Sequence, residues 1–404
     1  VSAKNFQANC QLKLHGGNSR NPANALKHGF ELVFKASYGP SRLNFDLYEE
    51  KNSAKEFNSL ILRGGYNYSW ALMSQTTASH IDQRLKAQYL QDPWTKNTQL
   101  AMGHLSGREK FVHLYINGLY WGLYNIAEDY SDDYMETYLT GTKDQFDVIK
   151  EQQYGLITTP TAGNYTAWID FLTQVQTNNI GNNVNYQKIQ GNNEDGSVNT
   201  SYSKLLNVDN YIDYMLLNYY LGNLDWDKNN WCVARNRVSN TEGFRFFCWD
   251  GETTMTAIGT NMVSASPTSN NPTKFITYLI KNADFKVRLA DRIQKNMINT
   301  GGALTPSIAA ARYNTLASEI DMAIIAESAR WGDCSGTSIL YTRNNQWMAR
   351  KTDLLNNYFP YRTDTVLKQL RTAGYFPTVN APVFTHYGGT ISSAINLGMS
   401  TNTG

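Results

Sequence analysis

The segment NLDWDKNNWCVARN, residues 223–236, carries two aspartates, a lysine and several amide side chains between a predicted helix and a predicted strand. Two tryptophans interrupt the polar residues, so the segment is unlike an ordinary surface loop. Its composition is compatible with a turn, a metal site or a catalytic loop. The spacing of Asp225 and Asn230, together with an acidic pair further along the chain, favours a catalytic loop.

Asp225 and Asn230 lie five positions apart, the D-x-x-x-x-N spacing of the catalytic loop in protein kinases. In that loop the aspartate accepts the proton of the hydroxyl being phosphorylated, and the asparagine holds a metal ion. Twenty residues after Asn230, the sequence WDGE supplies Asp250 and Glu252, whose oxygens suit hard cations such as Mg²⁺. We therefore predict Asp225 as the catalytic residue and Asn230, Asp250 and Glu252 as metal ligands. The alternative is a polar helix–strand junction followed by a hairpin, because Asp-Gly is also a common turn dipeptide.

The bulk composition indicates a folded globular protein, since 41% of the 404 residues are hydrophobic and 17% are charged. A chain of this length predicts about two or three domains. The formal net charge of +2 gives no reason to expect a nucleic acid as partner. No apolar run approaches the roughly 18 residues of a transmembrane helix, so we expect no membrane span.

Hydrophobic patterns divide the chain into three regions. Residues 1–129 are rich in strand patterns, among them an aromatic hairpin around the turn residues Asn117 and Gly118. Residues 130–374 are mainly helical in pattern. Residues 375–404 contain short strand patches and a Gly-Gly turn, which indicate the start of a β-module that ends incomplete.

Caps and periodicity predict the individual helices. The predicted helices span about 80–102, 207–222 and 305–331, and the Asn-rich stretch 155–203 is predicted to be a long, partly ordered connection. The second of these helices stops at a glycine, and the third opens with a Thr-Pro pair.

A second hairpin is predicted directly after the catalytic-loop candidate, with its turn at SNTEG, residues 239–243. It would place Cys232 and Cys248 nearly opposite each other. The two cysteines would then form either a strained cross-strand disulfide or a pair of buried thiols.

Several of these segments resemble the motifs of the spore-coat protein H (CotH) kinase family: NGLYWGLYNIAED, LDWDKNNWCVARN, FRFFCWDGETTM and the opening LHGGNSRNPANALKHGFELVFK. The resemblance covers roughly residues 10–375. It implies an α+β fold of the divergent protein-kinase-like, two-lobed type, with a strand-rich, nucleotide-binding amino-terminal lobe and a mainly helical catalytic lobe. It also implies an ATP-dependent kinase that uses Mg²⁺ or Mn²⁺. AESARWGD and the tail resemble secreted bacterial members with β-modules, which implies a secreted or cell-surface protein.

By this resemblance, Asp225 corresponds to the catalytic aspartate of the family, and Asn230 and Asp250 correspond to its metal ligands. One departure lies in the second acidic motif, which usually reads Trp-Asp-x-Asp. Glu252 stands at its last position, and its side chain is longer by one methylene. We expect that Glu252 can still reach a cation, although the choice of metal or the activity then differs.

A second departure concerns the basic strand, where the paired lysines of the family appear as Lys27 and His28. Lys27 is therefore the candidate for neutralising the nucleotide phosphates. Kinases orient such a lysine with a glutamate, and Glu128 at the end of the aromatic hairpin is the candidate. Arg20, in the turn GGNSR, is a further candidate for a phosphate contact. The alternative for Lys27 and for Glu128 is a charged residue on a solvated strand.

Two functions of different class remain open. The first is a kinase that phosphorylates Ser or Thr hydroxyls of a protein substrate. The second is a catalytically inactive, kinase-like module for adhesion or carbohydrate binding, whose 26 Tyr and 9 Trp could contact a cell-surface or cell-wall glycan. The joint presence of Asp225, Asn230 and Asp250 favours the kinase. No H-E-x-x-H or G-x-S-x-G motif points to a hydrolase.

Overall fold

The structure is a computed structural model that describes residues 5–73, 78–150, 160–239, 242–267, 271–336, 338–386 and 390–400. The strands are β1 (Gln11–His15), β2 (Gly29–Val33), β3 (Leu43–Asn44), β4 (Glu56–Phe57), β5 (Ser59–Arg63), β6 (Glu109–Ile116), β7 (Leu119–Ala127), β8 (Phe146–Lys150), β9 (Trp231–Asn236), β10 (Arg245–Cys248), β11 (Val383–Phe384) and β12 (Met399–Ser400). The helices are α1 (Ala78–Leu85), α2 (Gln91–Ala101), α3 (Asp132–Tyr138), α4 (Thr166–Thr177), α5 (Asn183–Lys188), α6 (Val208–Leu221), α7 (Pro272–Leu279), α8 (Ala283–Ile293), α9 (Pro306–Ile320), α10 (Ala323–Trp331), α11 (Met348–Asp353) and α12 (Phe359–Thr372).

The main sheet is antiparallel and has the strand order β1-β2-β5-β7-β6. Its hairpin β6–β7 is the predicted aromatic hairpin, and the prediction is confirmed. Asn117 and Gly118 form the turn with φ angles of 50° and 81°. These residue types tolerate positive φ, which a two-residue hairpin turn requires at both positions. The fold as a whole is a mixed α/β fold.

Helix α6 lies at the centre of the helical region. Thirteen of its 14 residues are buried, so it is surrounded by protein on all sides. The Asn207 side chain caps its first turn by accepting a hydrogen bond from the Asn210 backbone N–H at 3.1 Å. Gly222 ends the helix in the left-handed conformation, with φ of 61°. The predicted helix at 207–222 is therefore confirmed, and its end fixes where the following polar loop begins.

A second, three-stranded sheet has the order β10-β9-β8, and β9 and β10 pair as predicted for the second hairpin. Residues 240 and 241 of its predicted turn lie outside the described part. The register pairs Phe247 with Cys232, and Cys248 with Trp231. Cys232 and Cys248 are thus one residue out of register, so their side chains lie on opposite faces of the sheet. Both cysteines are free and buried, which confirms the pair of thiols and excludes the disulfide.

Two hydrophobic clusters account for most of the core. The smaller cluster covers one face of the main sheet and includes Leu60 and Tyr124. The larger cluster surrounds α6 and also takes in α2, whose Trp94 stacks on Tyr220 with ring centroids 5.8 Å apart. Helix α2, though it belongs to the strand-rich part of the sequence, therefore packs into the helical core. The predicted boundaries at residues 129 and 374 remain predictions.

Three local predictions differ from the structure. The helix at 80–102 is two helices, α1 and α2, because Tyr89 between them has a φ of 65° that no helix accommodates. The connection at 155–203 contains helices α4 and α5, and its residues 155–159 lie outside the described part. The helix at 305–331 is divided into α9 and α10.

The tail contains a short antiparallel ribbon in which β11 pairs with β12. Its Val383 and Met399 side chains are exposed. Among the described residues, no helix combines the length and the apolar character needed to cross a bilayer.

Candidate active site

The polar loop at 223–230 holds Asp225 in a defined orientation. The Asn229 side-chain amide donates to Oδ1 of Asp225 at 3.2 Å, and the Asn230 amide donates to Oδ2 at 3.0 Å. Asn230 has a φ of 64°, which Asn tolerates better than most residues and which turns its side chain back toward Asp225. Burial raises the pKa of Asp225, and the negative charge of Asp250 raises it further. The structure therefore brings Asp225, Asn230 and Asp250 into one site.

Asp227 anchors this loop to helix α7. Its Oδ2 accepts hydrogen bonds from the Thr273 backbone N–H and from the Thr273 hydroxyl, both at 2.7 Å. Its backbone carbonyl accepts from the Asn271 side chain at 2.7 Å. Asp227 is buried, so it fixes the loop, whereas Asp225 is the aspartate that is partly accessible.

The turn after β10 presents Asp250 and Glu252 to the guanidinium of Arg63, the last residue of β5. Arg63 Nη2 pairs with Asp250 Oδ1 and, at 2.8 Å, with Glu252 Oε1. The other carboxylate oxygen of Glu252 accepts from the backbone N–H groups of Tyr66 and Asn67 at 3.1 and 2.9 Å. Burial and the nearby Asp250 raise the pKa of Glu252 to about 7. Both Glu252 oxygens thus have protein donors, and its role as a metal ligand remains a prediction.

A buried network supports Arg63 from behind. Arg63 Nε lies 3.3 Å from Asp92 Oδ2, and Lys96 Nζ lies 3.0 Å from the same oxygen. Lys96 also pairs with Glu109 of β6. The Gly251 N–H donates to Asp92 Oδ1 at 2.7 Å. Burial alone would raise the pKa of Asp92, but Arg63 and Lys96 hold it well below its usual range. Asp92 therefore joins α2 both to Arg63 and to the acidic turn.

Lys27 is completely buried and has a partner other than the predicted one. Its Nζ donates to the Leu123 carbonyl and to Glu327 Oε1 of helix α10, both at 2.6 Å. Burial lowers the pKa of Lys27, and the charge of Glu327 opposes that effect. The predicted pairing of Lys27 with Glu128 is wrong, because a closer carboxylate comes from the far end of the chain.

Glu128 lies elsewhere, at the end of β7. It accepts from the Tyr138 hydroxyl at 2.5 Å and from the Arg108 backbone N–H at 2.8 Å. Arg20 is exposed in a short 3₁₀ turn, Asn18–Arg20. The structure therefore does not bring Glu128 together with Lys27, and a nucleotide contact by Arg20 remains a prediction.

Glu128 should make the stability of the protein depend on pH. Burial raises its pKa from the ordinary 4.5 to about 7, so the folded state binds a proton that the unfolded state releases between these values. The stabilisation is complete below pH 4.5 and is lost as the pH rises through 7, by about 3 kcal/mol in total, since one pKa unit is about 1.4 kcal/mol. Glu128→Gln should reduce the fall in unfolding free energy between pH 5 and pH 8, measured by urea denaturation.

The exposed Glu56 offers a matched control, because Glu56→Gln should leave the difference between the two pH values as in the wild type. An equal fall in the wild type and in Glu128→Gln would show that Glu128 does not titrate as described.

The residues of the site fit a divalent cation by their chemistry. Asp250 supplies carboxylate oxygens and Asn230 supplies an amide oxygen, the ligands that Mg²⁺ and Mn²⁺ prefer. Among the described residues, no three His, Cys, Asp or Glu side chains are grouped to hold a metal. Mg²⁺ needs no such group, because it binds through one or two carboxylates, water and substrate phosphates. Burial and, to a smaller degree, the charge of Asp250 raise the pKa of Asp225, and a bound cation would oppose the repulsion from Asp250.

Sequence reasoning missed Arg63, Asp92 and Glu327. A signal for the first existed, since an apolar strand that ends in Arg-Gly-Gly places a cation at a turn. Asp92 and Lys96 have the i, i+4 spacing of a helical ion pair. Nothing local to the sequence marks Glu327 as the partner of Lys27, because the two residues lie 300 positions apart.

Comparisons with known proteins bear on this geometry. Residues 25–366 match the family described as CotH kinase protein. A search among curated proteins found no match. The matched range includes the catalytic-loop candidate, the acidic turn, Arg63 and Glu327, whereas Arg20 and β1 precede it. Most of the chain is thus covered, and the chain belongs to the CotH kinase family.

Proposed function

We propose that this protein is an ATP-dependent kinase that transfers the γ-phosphoryl group to Ser or Thr hydroxyls of a protein, with Mg²⁺ or Mn²⁺. The observation that carries the proposal is the position of Asp225, held by two asparagine amides, at the same end of the β9–β10 hairpin as the Arg63–Asp250 pair. A general base, a metal-binding carboxylate and a phosphate-binding cation are the groups that phosphoryl transfer requires.

The sheet supports a divergent kinase-like, two-lobed arrangement. In protein kinases the lysine that contacts the nucleotide lies on the third strand and pairs with a glutamate on a helix. Here Arg63 ends β5, the third strand of the main sheet in the order from β1. Its partner Asp92 lies on α2. We assign the phosphate contact to Arg63, whose planar fork can bind an oxyanion while it holds a carboxylate. The buried Lys27 does not contact the phosphate in this proposal; it holds Leu123, which lines the same cleft as Arg63.

In the proposed reaction Asp225 acts as the base. Its raised pKa makes it a better proton acceptor than an ordinary aspartate, and the Asn229 and Asn230 amides fix its orientation. The acceptor hydroxyl loses its proton to Asp225 while its oxygen bonds to the γ-phosphorus and the bond to the β-phosphate oxygen breaks. ADP leaves with that electron pair. A divalent cation held by Asn230 and Asp250 would neutralise charge on the phosphate oxygens.

The family resemblance also supports a secreted or cell-surface location for the protein. A protein with Ser or Thr acceptors is the proposed substrate, and a cell-surface or cell-wall glycan is a second proposed partner. In the described part, large apolar side chains are exposed in the tail, Met399 among them, which is compatible with further contacts there.

Nucleotide binding gives the first test. ATP with Mn²⁺ or Mg²⁺ should stabilise the wild type, by about 2.7 kcal/mol at a ligand concentration 100-fold above Kd. Asp250→Asn keeps the shape of the side chain but removes its charge, so the stabilisation should be largely lost. The measurement is thermal shift, followed by calorimetric titration of the same proteins.

Asp321→Asn is the matched control, because Asp321 pairs with Arg343 outside the site and should leave nucleotide binding unchanged. If neither ATP–Mn²⁺ nor ATP–Mg²⁺ stabilises the folded wild type, the kinase proposal fails and the inactive adhesion module becomes the better description.

A further inference from the structure

Helix α10 is attached to strand β7 by a row of buried hydrogen bonds. The Trp331 indole N–H donates to the Trp121 carbonyl at 2.7 Å. The Leu123 N–H donates to Glu327 Oε2 at 2.7 Å. Glu327 therefore uses one oxygen for the backbone of β7 and the other for the ammonium of Lys27. Helix α10 thus forms hydrogen bonds with both neighbours of Gly122, Trp121 and Leu123, and with Lys27, which lies two residues before β2.

Gly122 shows how closely these groups converge. A Cβ atom at this position would lie 2.8 Å from the Trp331 indole nitrogen, and 2.9 Å from both Glu327 Oε2 and Lys27 Cε. The glycine also has a φ of 143°, which other residues rarely adopt. Strand β7 can pack against α10 here only because residue 122 has no side chain. The Lys27–Glu327 ion pair occupies the space that a side chain would need.

The same ion pair lies directly behind the candidate site. Leu123, which bonds to both Lys27 and Glu327, lines a small cleft together with Tyr89, Arg63 and Glu252. The Lys27 ammonium lies 5.3 Å from the centre of the Tyr89 ring. The ion pair therefore touches two walls of the cleft.

The backbone of Lys27 also supports the turn that follows Arg63. Its carbonyl oxygen would lie 3.0 Å from a Cβ on Gly64, so the two chain segments are in close contact. A displacement of the Lys27 backbone would therefore move Gly64 and, with it, the neighbouring Arg63.

We infer that Glu327 is a positioning residue for the nucleotide site: through Lys27 and the Leu123 amide it sets the cleft wall beside Arg63. The inference rests on the proposed function. It adds that a residue of α10 determines the geometry of the nucleotide site. A pair with a purely structural role could be exchanged for uncharged residues without effect on the site. A positioning role predicts that nucleotide affinity falls even where stability is restored.

The double variant Lys27→Met/Glu327→Gln separates the two roles. It removes both buried charges, while the glutamine oxygen can still accept from the Leu123 N–H. We expect a melting temperature close to that of the wild type, but a KM for ATP raised about tenfold, the lower end of the loss seen when a residue that orients a metal ligand is removed. Glu327→Gln alone leaves the Lys27 charge unpaired and should lower both stability and affinity. Arg343→Met/Asp321→Asn, which removes another ion pair near α10, should leave KM unchanged.

Hydrogen exchange supplies a readout that needs no nucleotide. In the folded double variant, peptides covering 60–67 and 119–127 should exchange faster than in the wild type, while peptides of α6 should be unaffected. A restored melting temperature with wild-type KM and wild-type exchange would overturn the inference. Unchanged exchange in these peptides would overturn it even if the wild type bound no ATP. Faster exchange in the double variant, together with a wild type that binds no ATP, would refute the kinase proposal alone.

Discussion

Asp225→Asn should reduce phosphotransfer by about 10²- to 10⁴-fold, the contribution typical of a positioned general base. The asparagine keeps the size of the side chain and can still accept a hydrogen bond from Asn229 or Asn230. It cannot take up the proton of the acceptor hydroxyl. Nucleotide affinity should change little, so the loss should appear in kcat. The measurement is transfer of labelled γ-phosphate to a Ser- and Thr-containing protein, at saturating ATP.

The other aspartate of the loop gives a contrasting result. Asp227 holds the loop to α7 through Thr273, so Asp227→Asn should lower stability as well as activity, whereas Asp225→Asn should lower activity alone. An Asp225→Asn protein with wild-type kcat would remove Asp225 from the role of base, whatever its affinity for nucleotide.

Arg63→Met should destabilise the protein by about 3–5 kcal/mol, the usual cost of leaving buried ion-pair partners uncompensated. Arg63 is the shared partner of Asp92, Asp250 and Glu252, and only 12% of its side chain is exposed. Arg63→Lys keeps the charge but cannot serve all three carboxylates at once, so its effect should be smaller. Urea denaturation at pH 7 measures both values.

A double-mutant cycle tests the cause of that loss. Adding Glu252→Gln to Arg63→Met removes one of the unpaired charges, so the double variant should be more stable than the sum of the single effects predicts. Arg42→Met is the matched control, because Arg42 pairs with Asp133 at the surface and should cost less than about 1 kcal/mol. Strict additivity of Arg63→Met and Glu252→Gln would exclude the ion pair as the source of the destabilisation.

The local features of this fold were predictable because their signals are short in sequence. The β6–β7 hairpin is marked by Asn-Gly between aromatic strands, and α6 is bounded by a capping asparagine and a glycine. The catalytic-loop candidate begins where α6 ends, at Gly222, so predicting the end of the helix also predicted the start of the loop. Asn230 directly precedes β9 and Asp250 follows β10 by two residues. Because Trp231 of β9 pairs with Cys248 of β10, both residues, with Asp225 bonded to Asn230, come to the same end of the hairpin. Spacing in the sequence was therefore enough to predict their proximity.

The sequence could not predict which charged residues from distant parts of the chain form ion pairs with each other. The pairing of Lys27 with Glu327 depends on α10 crossing β7, and no pattern of 20 or 30 residues contains that information. The break between α1 and α2 depends on the left-handed conformation of Tyr89, a residue type that seldom adopts it. Likewise, the segment LILRGG indicates a cation at a turn, but it does not indicate that Arg63 pairs with three carboxylates from distant parts of the chain.

The ion pair between Lys27 and Glu327 also has a consequence for synthesis of the chain. A ribosome adds about 5–20 residues per second, so the 300 residues between the two partners take roughly 15–60 s to emerge. From the time β7 has emerged until α10 follows, a sheet that buries Lys27 would hold this lysine without its carboxylate. The sheet can reach its final stability only when α10 has left the exit tunnel, so we expect the amino-terminal region to stay open to chaperones until then.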